Sequence, residues 1–261
     1  KVSFIFWVPS VFNLFYRLNI FKEIKPEFLK NILFAGEVMQ ADILKYWMKN
    51  LPKALYANLY GPTEITVDCT YYKVPSDFNL DEVPIGVKCK NSDYLVIDEK
   101  NKKSKKGELY IRGVGNSLGY WGDKDKTDKS FVQNPLHEDY VDFCYKTGDI
   151  VEERNKILFF RGRTDSQIKK HGHRIELNEI ELIGAKYQEI SNCCALFNSE
   201  NNQIIFVYDS KNNFETSKIK NFFRSKLPKY MIPDKFICLS KLPLNKNGKI
   251  DRKLILRNIN K

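Results

Sequence analysis

The sequence is poor in the residues that define special chain classes. Its 261 residues include 13 glycines and 10 prolines, too few for a collagen-like or low-complexity chain. There are only three histidines, and none of the six cysteines (Cys69, Cys89, Cys144, Cys193, Cys194 and Cys238) stands in a CxxC pair. Zinc spacing is therefore missing, and scattered thiols suit a reducing compartment, so a cytoplasmic location is expected. No apolar run reaches the roughly 20 residues that span a bilayer. Residues 2–18 are apolar enough to suggest a signal peptide, but Pro9, Asn13 and Arg17 interrupt them and no small-residue cleavage site follows. There is no internal repeat.

What is present is a globular balance, with 43% hydrophobic and 29% charged residues. The length exceeds a typical domain of roughly 100–150 residues, so two units are expected. Forty-three basic residues outweigh 32 acidic ones, giving +11. Such a charge can serve nucleic acid, anionic lipid, a polyanionic small ligand or an acidic partner. The basic residues are mostly scattered lysines. The one dense run, Lys102, Lys103, Lys105 and Lys106, lies between Asp98-Glu99 and Gly107 and reads as a solvated hairpin tip. No nucleic-acid partner is expected. The chain starts at Lys1 rather than Met and runs straight into an apolar stretch, which suggests part of a longer protein.

Residues 2–7 form a continuous apolar run, as expected of a strand buried on both faces. A helix over 11–18, a strand over 32–35, a helix over about 42–51 and a strand over 54–60 follow. This alternation predicts a parallel α/β sheet. After about Tyr72 strand-like runs recur at 94–97, 108–112 and 157–161, separated by Gly and Lys turns, and predict a β-barrel-like module. Residues 163–173 hold no strong apolar segment and read as a boundary or linker. Beyond them a helix at 176–186, strands at 194–197, 203–208 and 235–239, a helix at 215–226 and a short terminal helix predict a small α+β domain. The expected division is 1–164 and 165–261.

Four segments carry chemistry. Asn58-Leu-Tyr-Gly-Pro-Thr-Glu64 ends a strand at a Gly61-Pro62 turn, where open parallel sheets bind ligands. Tyr60 offers a face for a base, Thr63 a donor for a phosphate oxygen, and Glu64 a hard oxygen ligand for Mg²⁺. An ordinary β-turn explains the same residues equally well. Tyr145-Lys-Thr-Gly-Asp-Ile150 places Asp149 after a Gly turn at a strand edge, where an acidic residue can accept both hydroxyls of a ribose, though Thr-Gly-Asp is also a common turn. The polar segment from Gly162 to Glu181 includes Arg163 and Arg174, forked donors for ribose or phosphate oxygens, and Gly172, which permits close backbone approach. His171 and His173 make a poor metal pair and read as surface residues. In Leu244-Asn-Lys-Asn-Gly-Lys-Ile-Asp-Arg252, Lys249 follows a turn dipeptide and can deliver charge to a reacting group, or simply face solvent.

Taken in order with Gly107-Glu-Leu-Tyr-Ile-Arg-Gly113 and Gly119-Tyr-Trp121, these segments resemble the amino-acid adenylation domains of the acyl-adenylate-forming superfamily, from Val2 to about Arg252. The resemblance implies formation of an aminoacyl-adenylate from a carboxylate and MgATP with release of pyrophosphate, then transfer to a phosphopantetheine thiol on a carrier protein. It implies that Tyr60 and Gly61 border the adenine, Thr63 contacts phosphate, Glu64 holds Mg²⁺, Asp149 and Arg163 hold the ribose, and Arg174 lies near the phosphate. Asp165 corresponds to a hinge, Gly172 to a thiol tunnel and Lys249 to the lysine that bridges carboxylate and nucleotide. Phe6, Leu33, Ala35, Leu59, Val67 and Asp68 correspond to the acyl pocket. The Asp that binds the substrate ammonium in amino-acid-activating members would precede Lys1.

Two departures stand out. Nothing matches the family's Ser/Thr/Gly-rich phosphate loop, so the chain corresponds to the later part of such an enzyme. Asn178 stands where Gly is usual, at a position compatible with a helix cap. No carrier segment is recognisable, so a carrier acting in trans is expected. The alternatives are an acyl-CoA or aryl-acid ligase of the same superfamily, and a basic, noncatalytic nucleic-acid-binding protein.

Overall fold

The computed structural model describes residues 1–210, 215–245, 248 and 250–259. The chain divides into two compact units, Lys1–Asp165 and Ser166–Lys261.

In the first unit β1 (Phe4–Trp7), α1 (Pro9–Arg17), β2 (Asn31–Ala35), α2 (Ala41–Asn50) and β3 (Leu55–Tyr60) alternate, and the three strands run parallel. The sheet continues through antiparallel β4 (Thr70–Val74) and β5 (Val87–Lys88), in the order β1-β2-β3-β4-β5. Pro9 opens α1, where its missing N–H costs nothing. Phe12 of α1 and Leu44 and Trp47 of α2 close over Ile32, Phe34 and Tyr56 on one sheet face. The polar handles inside this aromatic core are satisfied: Trp47 Nε1 donates to Phe12 O at 3.2 Å and Tyr56 Oη to Trp47 O at 2.9 Å.

The strand over 2–7 is shorter than expected and is not buried on both faces. Ile5 is buried, but Phe4 and Phe6 are 51% and 45% exposed. The reason within this chain is that the helices α1 and α2 cover only the face that carries Ile5.

The second sheet of this unit is antiparallel. It comprises β6 (Ser92–Ile97), β7 (Lys106–Gly113), β9 (Phe143–Arg154) and β10 (Ile157–Arg163), ordered β10-β9-β7-β6, with β8 (Phe131–Gln133) pairing on β9 after α3 (Lys124–Ser130). It is a curled half-barrel, in line with the expected barrel-like module. The β6–β7 connection holds Lys102 and Lys103, with Asp98 Oδ1 accepting the Lys100 and Lys102 amides.

The polar stretch read as a boundary or linker contains the division between the units at Asp165 and Ser166, but from Gln167 it is a hairpin of β11 (Gln167–Lys170) and β12 (His173–Glu176). Its polar residues are internally paired: buried Lys170 meets Asp234 at 2.5 Å and Gln167 donates to Glu176. Low hydrophobicity therefore does not signal an unstructured segment here. The remaining elements are α4 (Leu177–Gly184), β13 (Ile190–Asn198), β14 (Gln203–Ser210), α5 (Thr216–Lys226), β15 (Lys235–Leu239) and α6 (Arg252–Ile259). The sheet β13-β14-β15 packs Phe206 against Ile180, Ile219 and Phe223 on one face, and Leu196 and Val207 against Ile255 on the other. The molecule is thus of mixed α/β class. Among the described residues no helix is long and apolar enough to cross a membrane.

Candidate nucleotide site

The first cluster is built where β3 ends. Gly61 is dictated by crowding: a Cβ there would lie 2.1 Å from Val67 O. The chain turns through a 3₁₀ segment, Thr63–Ile65, then through Thr66 and Val67 at φ +63° and +77°. Two successive β-branched residues in the left-handed region are strained, and such strain is held only by surrounding contacts. Here those contacts come from the segment after β7. Ser117 N donates to Glu64 O at 2.8 Å, and Thr66 Oγ1 to Gly115 O at 2.8 Å. Tyr120 Oη donates to Glu64 Oε1 at 2.6 Å, which satisfies a carboxylate only 8% exposed. Burial, followed by the bond to Glu64, raises the pKa of the Tyr120 phenol, so it remains the donor.

The second cluster corrects the reading of Thr-Gly-Asp as a turn at a strand edge. These residues lie inside β9, in a bulge. Tyr110 pairs with Lys146 and Glu108 with Ile150, so Leu109 faces Thr147, Gly148 and Asp149 together. The bulge is pinned by Thr147 Oγ1, which donates to Leu109 O at 2.7 Å and accepts Asp149 N at 3.0 Å. Glu108 Oε1 accepts Gly148 N at 3.1 Å. Gly148 sits at φ +73°, and a Cβ there would lie 2.8 Å from Arg163 Nη2. Gly148→Ala is expected to cost about 1–2 kcal/mol, read as a lower urea midpoint at unchanged slope.

The bulge aims Asp149 inward, and it is 5% exposed. Tyr60 Oη donates to its Oδ2 and Arg163 Nη1 to its Oδ1. Arg163 stands opposite Asp149 in the β9–β10 register. Its Nε and Nη2 also bind the two Asp165 oxygens at 2.7 Å each, and Nη2 donates to Thr147 O at 3.1 Å. Burial, reinforced by the Asp149 charge, pushes the Tyr60 phenol well above its usual range. For Arg163 burial opposes the charge, but Asp165 and Asp149 more than offset it and raise its pKa. Residues 60, 149, 163 and 165, far apart in sequence, thus form one chain of charge-assisted hydrogen bonds.

Among the expected pocket residues, register puts Phe6 beside Leu33 and Ala35 beside Leu59, on the sheet face opposite the helices. Val67, 55% exposed, and Asp68 follow in the strained turn. Arg174 and Gly172 lie in the second unit, both exposed, on β12 and at the hairpin tip. Lys249 lies outside the described residues. The sequence reading overlooked Thr147, Glu108 and Tyr120. All three stand within quoted motifs, but their partners come from other strands.

Among the described residues no group of three or more His, Cys, Asp or Glu could hold a metal. The donor set therefore does not suit a resident metal. A single buried carboxylate, Glu64, does suit Mg²⁺ carried mainly by ligand phosphates, which typically takes one or two protein carboxylates.

The structure is similar to that of the Vibrio cholerae adenylation domain AlmE, solved in complex with glycyl-adenosine-5'-phosphate. The TM-score is 0.87 at 23% identity, covering 99% of this chain and 50% of that one. It also matches an NRPS protein containing adenylation and PCP domains, with a TM-score of 0.83 and 26% identity over 98% of this chain and 45% of the other. The molecule therefore has the fold of the adenylation domains. The model of the AMP-binding enzyme family matches residues 1–121. The D-alanine–D-alanyl carrier protein ligase of Bacillus licheniformis is 37% identical over 246 residues, 89% of this chain and 48% of the relative. Zwittermicin A synthase ZmaJ of Bacillus cereus is 34% identical over 267 residues, 97% of this chain and 50% of the relative. The chain spans about half the length of the curated relatives it matches.

Proposed function

We propose that the protein activates an amino-acid carboxylate with MgATP and passes the acyl group to a phosphopantetheine thiol of a carrier protein. The carboxylate oxygen attacks the α-phosphorus and pyrophosphate leaves. The thiolate then attacks the acyl carbon and AMP leaves. The observation that carries this reading is the Tyr60–Asp149–Arg163–Asp165 chain at the end of a parallel strand. It presents a carboxylate and a guanidinium fork side by side, a pairing that matches the acceptor and donor needs of a ribose diol. The diol would compete with Arg163 for Asp149.

In this reading Tyr60 and Gly61 border the base, Thr63 contacts a phosphate, and Glu64 with Mg²⁺ offsets the repulsion between two anions. Arg174 and Lys249 supply further positive charge. Phe6, Leu33, Ala35, Leu59, Val67 and Asp68 bound the acyl group. Asp165 is the hinge between a first domain, 1–164, and a second, 165–261, and Gly172 borders the thiol path. The names of relatives support a D-amino acid and a carrier partner. The +11 charge suits an acidic carrier.

The test is ATP–pyrophosphate exchange by the natural protein that carries this chain, with each amino acid, D-alanine included, and with aryl and fatty acids. Exchange with one or a few amino acids is expected. Exchange with aryl or fatty acids alone would favour the acyl- or aryl-acid ligase reading, and none with any acid would sink both. Transfer to an acidic carrier should slow between about 0.1 and 1 M salt, as the Debye length shrinks from roughly 10 to 3 Å. A salt-independent rate would remove the electrostatic part of the proposal.

A further inference from the structure

The roles above leave Gly119-Tyr120-Trp121 unassigned, yet the structure invests many contacts in one of its members. Tyr120 is fixed from three directions. Its backbone N donates to Thr127 Oγ1 at 2.9 Å, and that hydroxyl donates to Asp123 O at 2.8 Å. Asp123 caps α3 by accepting Lys126 N at 2.9 Å, so the Tyr120 backbone is tied to a helix start. Gly119, at φ +134°, lets the chain pass against Thr127, where a Cβ would lie 2.4 Å from Cγ2. The ring is held between Lys126 Nζ, 4.3 Å from its centroid, and Phe131, 5.9 Å away at a 64° tilt.

So held, the ring sends its hydroxyl to Glu64 Oε1 at 2.6 Å. The preceding residues grip the same turn by its backbone, with Ser117 N on Glu64 O and Gly115 O on Thr66 Oγ1. A Cβ at Gly115 would lie 2.7 Å from Ile65 O, so the two segments meet backbone to backbone. A glutamate otherwise has three rotatable side-chain torsions. A short O–H···O⁻ bond from an immobilised phenol removes most of that freedom and fixes the carboxylate in one orientation.

We infer that Tyr120 is a positioning residue that orients the Glu64 carboxylate toward the divalent cation accompanying the nucleotide, and that Thr127 and Lys126 hold Tyr120 in place for this. The inference rests on the reading of Glu64 as a ligand of that cation. Residues that orient a ligand group typically change metal affinity by 10–100-fold when removed.

Mn²⁺ binding tests it directly. Free Mn²⁺ is followed by electron paramagnetic resonance in the natural protein with a nonhydrolysable ATP analogue, alongside Tyr120→Phe, Glu64→Gln and the double variant. Tyr120→Phe keeps the ring and its contacts with Lys126 and Phe131. It is expected to weaken Mn²⁺ binding by about 10-fold while metal-free nucleotide binding stays unchanged. In the Glu64→Gln background the same change should add nothing, because the phenol acts through the carboxylate. Thr127→Val, which keeps the phenol but releases its backbone, should give a smaller loss in the same direction. Unchanged Mn²⁺ binding in a folded Tyr120→Phe or Thr127→Val protein, or additive losses in the double variant, overturns the role of Tyr120 alone. Unchanged binding in Glu64→Gln overturns the cation reading of Glu64, and this inference with it.

Discussion

Replacing Asp149 by Ala is expected to abolish pyrophosphate exchange and to destabilise the first unit by about 3 kcal/mol. The estimate follows from what is left behind. Asp149 is 5% exposed and receives both the Tyr60 phenol and one arm of Arg163. Its removal takes the carboxylate acceptor from a buried hydroxyl and one partner from a guanidinium whose side chain is 13% exposed. A lost hydrogen bond to a charged group costs roughly 1.5–3 kcal/mol, and breaking a buried ion pair from one side roughly 3–5. The Arg163 contacts to Asp165 and Thr147 O keep the total toward the lower end. Asp149→Asn should cost less, since it keeps an acceptor for Tyr60 while losing the charge. Urea unfolding of both variants checks the order, and equal midpoints for Asp149→Ala and the parent protein would show that the cluster carries no stability.

Lys249→Ala is expected to slow adenylate formation by roughly 10²–10³-fold, the usual loss when one electrostatic stabiliser of a transition state is removed. Thioester formation from a supplied adenylate should change little, because the step proposed for Lys249, bringing a carboxylate to a phosphate, is already past. Single-turnover assays of each half-reaction separate the two. Equal loss in both would place Lys249 in binding common to the two steps rather than in adenylation. Among the described residues near this position, Leu244 and Ile250 form an antiparallel bridge, and Gly248 at φ +73° donates its N–H to Asn245 O at 3.0 Å.

Local pattern revealed much of the fold. Pro9 at the start of α1, the apolar run 32–35 and the Gly61-Pro62 stop bound real elements to within a residue or two. These signals are legible because they act between near neighbours, through backbone angles and side-chain period. The failures share a cause. The 2–7 run reads as doubly buried because apolar content does not say what covers each face of a strand. The 163–173 stretch reads as a linker because Gln167 and Lys170 are polar, yet both are buried by partners at Glu176 and Asp234. Thr-Gly-Asp reads as a turn because a positive-φ Gly marks both turns and bulges, and only pairing with β7 tells them apart.

The candidate site divides the same way. The sequence by itself determined which side chains are available for the chemistry: a phenol, two carboxylates and a guanidinium, at motifs whose order resembles that of the adenylation domains. Only the tertiary structure decided that Tyr60, Asp149, Arg163 and Asp165 form one bonded chain, and that Tyr120 donates to Glu64. Side-chain chemistry is a property of each residue, whereas these bonds span up to 89 positions and depend on strand register, a bulge and a strained turn. Those features are fixed by packing across the whole unit, which no local stretch of sequence contains.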